Sequence, residues 1–155
     1  MNKEEVIEKL AKVSEVNNLQ LNDCRLGYSA ALVLYGIIPE CNDIDLDMGH
    51  IQFLRFSNSQ KYDIDYSKED NRISLTEKLD IFDKKDMNKF YSELFYIEEY
   101  YSKEQKKKIK VYLYTPEYIL REYIRRNREK DKQKIQIIKR FLESQNVGGR
   151  LSWIR

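Results

Sequence analysis

The apolar residues in the first third of the chain predict two helices and a strand. In residues 2–16 an apolar side chain recurs every three or four positions among charged ones, which is the period of an amphipathic helix. Ser29 is a suitable N-cap for a short helix over residues 30–35, and Gly36 is a suitable end to it. That helix is apolar on all sides, so we expect it to be buried. Residues 42–48 alternate with period two, which predicts a strand.

The middle of the chain predicts both kinds of element. Residues 49–60 favour a loop and a short helix. Residues 61–83 predict two strands joined by a polar turn at residues 69–71, because aromatic and branched apolar residues alternate there with polar ones. We expect a further helix from about residue 86 to residue 101.

The last third predicts a strand followed by helices. Residues 108–114, KIKVYLY, alternate as a strand does. Thr115 and Pro116 then stand in the order of an N-cap and a first-turn proline, so a helix should begin there. Apolar residues continue at helical spacing to Leu142, but residues 125–134 are polar enough to predict a break.

Length and composition indicate one folded domain. A chain of 155 residues suits a single domain, and 35% charged with 41% hydrophobic residues is typical of a globular protein. Strands mixed with flanking helices predict an α+β (mixed α/β) fold with a mixed sheet. We expect this domain to span residues 1–146, with a C-terminal tail over residues 147–155.

Several classes of protein are disfavoured. No apolar run has the length of a membrane span, and the polar amphipathic N-terminus is unlike a signal peptide, so we expect no membrane partner. Cys24 and Cys41 are too few for a disulfide framework or a zinc site and suit a reduced cytoplasm. His50 is the lone histidine, which argues against a histidine-based triad or a multi-histidine metal site.

Charge is distributed unevenly although the net charge is only +2. Residues 36–70 contain eight acidic and three basic residues, whereas residues 121–140 contain nine basic and three acidic ones. An acidic region that holds cations and a basic region that holds phosphates would complement each other.

The acidic residues of the predicted strand are candidates for metal binding. Asp43, Asp45 and Asp47 fall on one face, with neighbours about 6.6 Å apart along the strand. Two such carboxylates can lean toward ions a few ångströms apart, as in two-metal phosphoryl chemistry. A calcium-binding EF-hand loop does not fit, because its turn glycine would fall on Met48 and its bidentate glutamate on Leu54.

A second Asp-Ile-Asp sequence, residues 63–65, has a different setting. The polar segment FSNSQK precedes it, without a glycine turn or an apolar helix. We therefore expect Asp63 and Asp65 to lie on the exposed face of a hairpin.

The stretch LGYSAALVLYG followed by NDIDLDM resembles the signature of the DNA polymerase β-like nucleotidyltransferase superfamily. That signature is a hydrophobic residue, Gly, and Gly or Ser, with an Asp-hydrophobic-Asp strand shortly downstream. The short form is similar to the minimal nucleotidyltransferases and abortive-infection-type toxins of bacteria and phages, which implies a role in defence. The resemblance extends to KLDIF, residues 78–82, and more weakly to residues 108–135. It implies a nucleotidyltransferase-like fold.

The resemblance also implies a metal site. The first two acids of the family bind two magnesium ions, a role that falls here to Asp43 and Asp45. A third acid on a later strand completes the family's site, and Asp80 stands in that position, with Asp83 and Asp86 as close competitors. We expect Asp80 to lie on a strand next to Asp43 and Asp45 and to point into the same cleft.

Phosphate binding is implied at the glycine turn. In the family this turn and the helix that follows hold the nucleotide phosphates, which points here to Gly27 and Ser29. Arg121 or Arg125 would clamp phosphate from the far side. Tyr28 departs from the family, since Gly or Ser stands there. Either the turn is shifted by one residue, with Ser29 in the role, or phosphate binding is weakened.

Together these features predict a magnesium-dependent nucleotidyltransferase that moves a nucleoside monophosphate from a nucleoside triphosphate to a hydroxyl of RNA, a protein or a small molecule. One alternative is a catalytically silent binding protein of the same fold, such as an inhibitor or an antitoxin-like partner. Another is an RNA-binding module that uses the basic residues 121–140.

Overall fold

A six-stranded mixed sheet forms the centre of the protein. The computed structural model describes residues 1–67, 70–85 and 95–147. The sheet has the order β3-β4-β2-β1-β6-β5. Its strands are β1 (Cys24–Gly27), β2 (Ile44–Gly49), β3 (Arg72–Thr76), β4 (Leu79–Lys84), β5 (Phe95–Ser102) and β6 (Lys107–Tyr114). The β1–β6 and β2–β4 pairs are parallel and the other neighbours are antiparallel. The predicted α+β class with a mixed sheet is confirmed.

The described part of the chain contains five α-helices that flank this sheet. They are α1 (Lys3–Val16), α2 (Tyr28–Leu34), α3 (His50–Gln60), α4 (Pro116–Arg126) and α5 (Lys132–Val147). Thr115 caps α4 as predicted, because its hydroxyl accepts a hydrogen bond from the Tyr118 amide. The predicted break in the polar segment is also present, as a 3-10 turn (Glu129–Asp131) between α4 and α5. None of the described helices combines the length and apolar character needed to cross a membrane.

The buried helix α2 begins earlier than its sequence predicts. Gly27 occupies the N-cap position and Tyr28 is the first helical residue, so the prediction that Ser29 caps this helix is wrong. The Ser29 hydroxyl instead accepts a hydrogen bond from Lys134 Nζ at 2.9 Å. Gly36 follows the helix with a φ of 77°, a conformation in which glycine is unstrained, as expected of a residue that ends a helix.

Two predicted elements differ from the structure. Residues 95–101 were expected to be helical, but they belong to β5, which pairs with β6 along its whole length. The rest of that predicted helix, residues 86–94, lies outside the described residues. The predicted strand around Asp65 is reduced to one isolated bridge with Arg72. The hairpin is instead formed by β3 and β4, with its turn at residues 77–78.

Strand β2 separates the apolar core from the candidate site. Ile44, Leu46 and Met48 are fully buried and belong to one core cluster with α2 and α3. Because successive side chains of a strand point to opposite faces, Asp45 and Asp47 lie on the other face. The period-two pattern therefore places carboxylates and core on opposite sides of the sheet, as predicted.

Gly27 is required by close packing. A Cβ atom at this position would lie 3.3 Å from Cδ2 of Tyr114. The Tyr114 ring has little room to yield, because it stacks on Tyr118 with centroids 4.3 Å apart and its hydroxyl donates a hydrogen bond to Asp47 at 2.9 Å. The backbone of Gly27 has an ordinary extended conformation, so the constraint is the space beside the ring.

We expect Gly27→Ala to lower the free energy of unfolding by about 1–2 kcal/mol, because overpacking forces a buried group to move. Urea denaturation of Gly27→Ala, Tyr114→Leu and the double variant measures this. The alanine should be less destabilising in the Tyr114→Leu background, where the ring is absent. An equal loss in both backgrounds would contradict the assignment of the constraint to Tyr114.

Candidate functional site

Three predicted site residues occupy neighbouring positions across the sheet. Gly27 of β1 and Asp80 of β4 are the register partners of Asp45 of β2, one on each side. Asp43 lies immediately before β2 and is exposed. Paired residues of adjacent strands present their side chains on the same face. The expectation that Asp80 lies on a strand beside Asp45 therefore agrees with the register.

Asp45 is a carboxylate that the described residues leave without a hydrogen bond. It is half-buried, and no described residue donates a hydrogen bond to it. Burial, followed by the charges of Asp80 and Asp43, raises its pKa from 3.8 to about 6. A cation beside Asp45 would relieve this repulsion.

Asp80 is already held by its neighbours. One carboxylate oxygen accepts a hydrogen bond from Ser74 Oγ at 2.6 Å, and the other lies 3.6 Å from Arg72 Nη1. The competitor Asp83 is buried, and one of its oxygens lies 2.8 Å from His50 Nδ1. His50 thus has a partner in the fold, and the second competitor, Asp86, lies outside the described residues. Of the two described candidates, Asp80 is the one in register with Asp45.

Asp47 is buried in a different environment. It accepts a hydrogen bond from the Tyr114 hydroxyl, and burial is the main reason that its pKa rises from 3.8 to about 6. The interaction fixes Tyr114 at the end of β6, beside Gly27. We therefore assign Asp47 a structural role in the floor of the site.

Basic residues face these carboxylates across two adjoining cavities of about 610 and 460 Å³, which we together call the cleft. Both cavities are lined by Tyr28, Asp45, Arg126 and Arg128. The larger cavity adds further side chains, including Asp47, Asp83, Lys84 and Arg125. The smaller one adds Ser29, Asp43, Lys130 and Lys134. The cleft therefore brings carboxylates and cationic side chains together. Asp80 is not among the described residues that line either cavity, so the cavity lining does not bear out the expectation that Asp80 points into the same cleft.

The predicted phosphate-binding residues are only partly at this cleft. Ser29 lines the smaller cavity, where its hydroxyl is bonded to Lys134, and Arg125 lines the larger one. Gly27 and Arg121 are not among the described residues that line either cavity, and Arg121 is exposed on α4. The cavity lining therefore does not support the prediction that Arg121 clamps phosphate.

The sequence did not single out several cleft cations, among them Arg126, Arg128 and Lys134. These three belong to the polar segment 125–134, whose composition does not show which residues face inward. Arg128 is fixed by Asp131, with Nε and Oδ2 2.6 Å apart, and Asp131 is almost fully buried. Asp131 follows Arg128 by three positions at the predicted helix break. This spacing was the sequence signal that could have identified Arg128 as a fixed side chain.

Tyr28 occupies the turn where the family has Gly or Ser. Its φ of 57° lies in the left-handed region, which is strained for a residue with a Cβ atom. Its ring is 7% exposed and packs between Tyr114 and Tyr123, with centroid distances of 6.3 and 6.0 Å. The guanidinium carbon of Arg126 lies over this ring, 4.3 Å from its centroid.

The donor set is chemically suited to magnesium, which prefers carboxylate oxygens. Asp43 and Asp45 are free of hydrogen bonds from described residues, and the raised pKa of Asp45 reports uncompensated negative charge. Within residues 1–67, 70–85 and 95–147, no three His, Cys, Asp or Glu side chains converge closely enough to form a ready metal site. The suitability of this site for magnesium therefore rests on the identity and electrostatics of its carboxylates.

The raised pKa of Asp45 predicts a pH-dependent penalty in metal-free protein. The folded state retains a proton that the unfolded state loses above pH 3.8, so this group destabilises the fold progressively as pH rises from about 4 to 6. The penalty above pH 6 is on the order of 2–3 kcal/mol. Asp45→Asn should remove it, so the variant should gain stability relative to the parent across this window.

Urea denaturation with a chelator present, at pH 4, 5, 6 and 7, measures the difference between Asp45→Asn and the parent. Comparing the two proteins cancels the other titrating groups. Added magnesium should reduce the difference in free energy of unfolding between Asp45→Asn and the parent at pH 7. A difference that stays constant with pH would contradict the electrostatic account of Asp45.

Comparison with known proteins adds no assignment. No protein-family model matches the chain, and neither a curated protein nor a solved structure shows significant similarity to it. The resemblance of its short motifs to nucleotidyltransferases therefore stays a hypothesis, and any function must be argued from the residues of the cleft.

Proposed function

We propose that the protein is a magnesium-dependent nucleotidyltransferase, which transfers a nucleoside monophosphate from a nucleoside triphosphate to a hydroxyl group. The observation that carries the proposal is Asp45, a half-buried carboxylate to which no described residue donates a hydrogen bond. It is in register with Asp80 and lines a cleft with Arg126 and Arg128. Carboxylates hold the metal ions that this chemistry needs, and arginines hold the phosphates.

In this mechanism Asp43, Asp45 and Asp80 would hold magnesium. Bound magnesium would supply charge neutralisation of the triphosphate and stabilise the transition state. Asp80, oriented by Ser74 Oγ, would accept the proton of the acceptor hydroxyl. The hydroxyl oxygen forms a bond to the α-phosphorus while the bond from that phosphorus to the bridging oxygen breaks, and pyrophosphate leaves. Lys134 would stabilise the departing phosphates from the smaller cavity.

The acceptor stays open between RNA, a protein and a small molecule. We place the activity in a reduced cytoplasm, since Cys24 and Cys41 are both buried free thiols.

Tyr28 favours a second candidate, the catalytically silent binding protein, because its ring stands in the cleft at the turn where the family has Gly or Ser. The RNA-binding alternative predicts salt-sensitive RNA affinity that survives loss of the acids.

We expect Asp45→Asn to lower nucleotidyl transfer by about 100-fold or more, because loss of a metal-binding charge removes several kcal/mol of transition-state stabilisation. The assay follows incorporation of α-labelled nucleotide into cell extract, with each of the four ribonucleoside triphosphates and with or without magnesium. Asp63→Asn is the matched control, because Asp63 is an exposed acid from the second Asp-Ile-Asp sequence.

Asp63→Asn should transfer nucleotide at the rate of the parent. Equal activity in the parent and Asp45→Asn would refute the proposed nucleotidyltransferase activity. If the parent shows no transfer, and thermal unfolding shows no shift with any triphosphate and magnesium, the silent binding protein becomes the better interpretation.

A further inference from the structure

Three neighbouring arginines of the cleft differ in how they are held. Arg125 Nε lies 2.6 Å from Glu122, and Arg128 Nε lies 2.6 Å from Asp131. Arg126 donates no hydrogen bond to any residue in the described part of the chain. Its guanidinium group instead makes a cation–π contact with the ring of Tyr28. Arg126 is therefore the cleft arginine whose hydrogen-bonding capacity is unused.

Stacking on a ring leaves that capacity available. A guanidinium group is planar and carries five N–H donors around its edge, so a contact through its face does not consume them. Arg126 lines both cavities, as Asp45 does. Its donors are thus available at the residues shared by the two cavities, close enough to Asp45 for the charge of Arg126 to lower the pKa of that carboxyl.

The position of Tyr28 gains an explanation from this contact. A tyrosine in the left-handed region is strained by about 1–2 kcal/mol, so its surroundings must hold it there. Tyr114 and Tyr123 pack against its ring, which limits the space in which the ring can move beneath Arg126. A packed ring that contacts a long side chain restricts the rotamers of that side chain and so reduces the entropy lost when it binds an anion.

We propose that Arg126 is the residue that binds the oligophosphate of the nucleotide, and that Tyr28 is a positioning residue that holds Arg126 ready for it. The proposal rests on the proposed function for the identity of the ligand. It makes Tyr28 a functional replacement for the Gly or Ser that follows the first glycine of the signature, and it moves the phosphate clamp from the predicted Arg121 and Arg125 to Arg126.

Inorganic tripolyphosphate with magnesium is the probe, and isothermal titration calorimetry measures its binding. Arg126→Gln should weaken binding by about 10–100-fold, the range of a charge-assisted contact to phosphate. Tyr28→Leu should weaken it by about 3–10-fold through loss of the platform, whereas Tyr28→Phe, which keeps the ring, should bind as the parent does. Arg140→Gln, an exposed arginine on α5, is the matched control and should change nothing.

Energetic coupling between Tyr28 and Arg126 distinguishes a positioning role of Tyr28 from a general effect of its loss on the structure. In the Arg126→Gln background, Tyr28→Leu should cause no further loss of affinity. Additive losses, unchanged binding by Arg126→Gln, or no binding by the parent would each overturn the proposal. If Tyr28→Leu fails to fold, tripolyphosphate binding by Arg126→Gln and Tyr28→Phe still tests the proposal.

The outcome is separable from that of the proposed function. Tripolyphosphate has neither nucleoside nor acceptor, so binding through Arg126 without any nucleotidyl transfer would support this inference and refute the enzyme. Conversely, Asp45-dependent transfer with an unchanged KM for nucleotide in Arg126→Gln would support the enzyme and refute this inference.

Discussion

The burial of two carboxylates on one face of β2 is the constraint on which the site depends. Asp47 is compensated inside the protein by the Tyr114 hydroxyl. Tyr114 in turn leaves no room for a side chain at Gly27, so the glycine turn and the acidic strand are linked through one ring. Asp45 has no such donor among the described residues, and its raised pKa shows that its charge is incompletely balanced. Burial raises the pKa of both carboxylates, but Asp47 orients Tyr114, whereas Asp45 has no hydrogen-bond donor among the described residues and is the one that we propose for a ligand.

The C-terminal helices balance that charge from across the cleft. Helix α4 ends at Arg126, and the turn after it brings Arg128 near the same space. Arg126 and Arg128 both lower the pKa of Asp45, against the larger effects of burial and the neighbouring acids. The polar break between α4 and α5 therefore contributes directly to the electrostatics of the cleft.

The sequence predicts those features that depend on local pattern. Alternation along β2 and the Thr115–Pro116 helix start are local, and both appear in the structure. The register of Asp80 with Asp45 was expected from the motif resemblance. Strand β5 was missed, because its conformation comes from pairing with β6 and outweighs the local preference. Arg126 was missed for a related reason: the direction of one side chain in a basic run depends on where its helix packs, which composition does not encode.

Tyr28 illustrates how a departure from a short motif can be compatible with its chemistry. A glycine at such a turn lets phosphate approach the backbone closely. A tyrosine leaves less room for such an approach, and here its ring contacts the face of Arg126, which leaves the guanidinium N–H groups available. Arg126 stands over the ring and lines both cavities, as Tyr28 does. Tyr28 and Arg126 are therefore best understood as one unit, in which the strain at the turn is offset by packing of the ring.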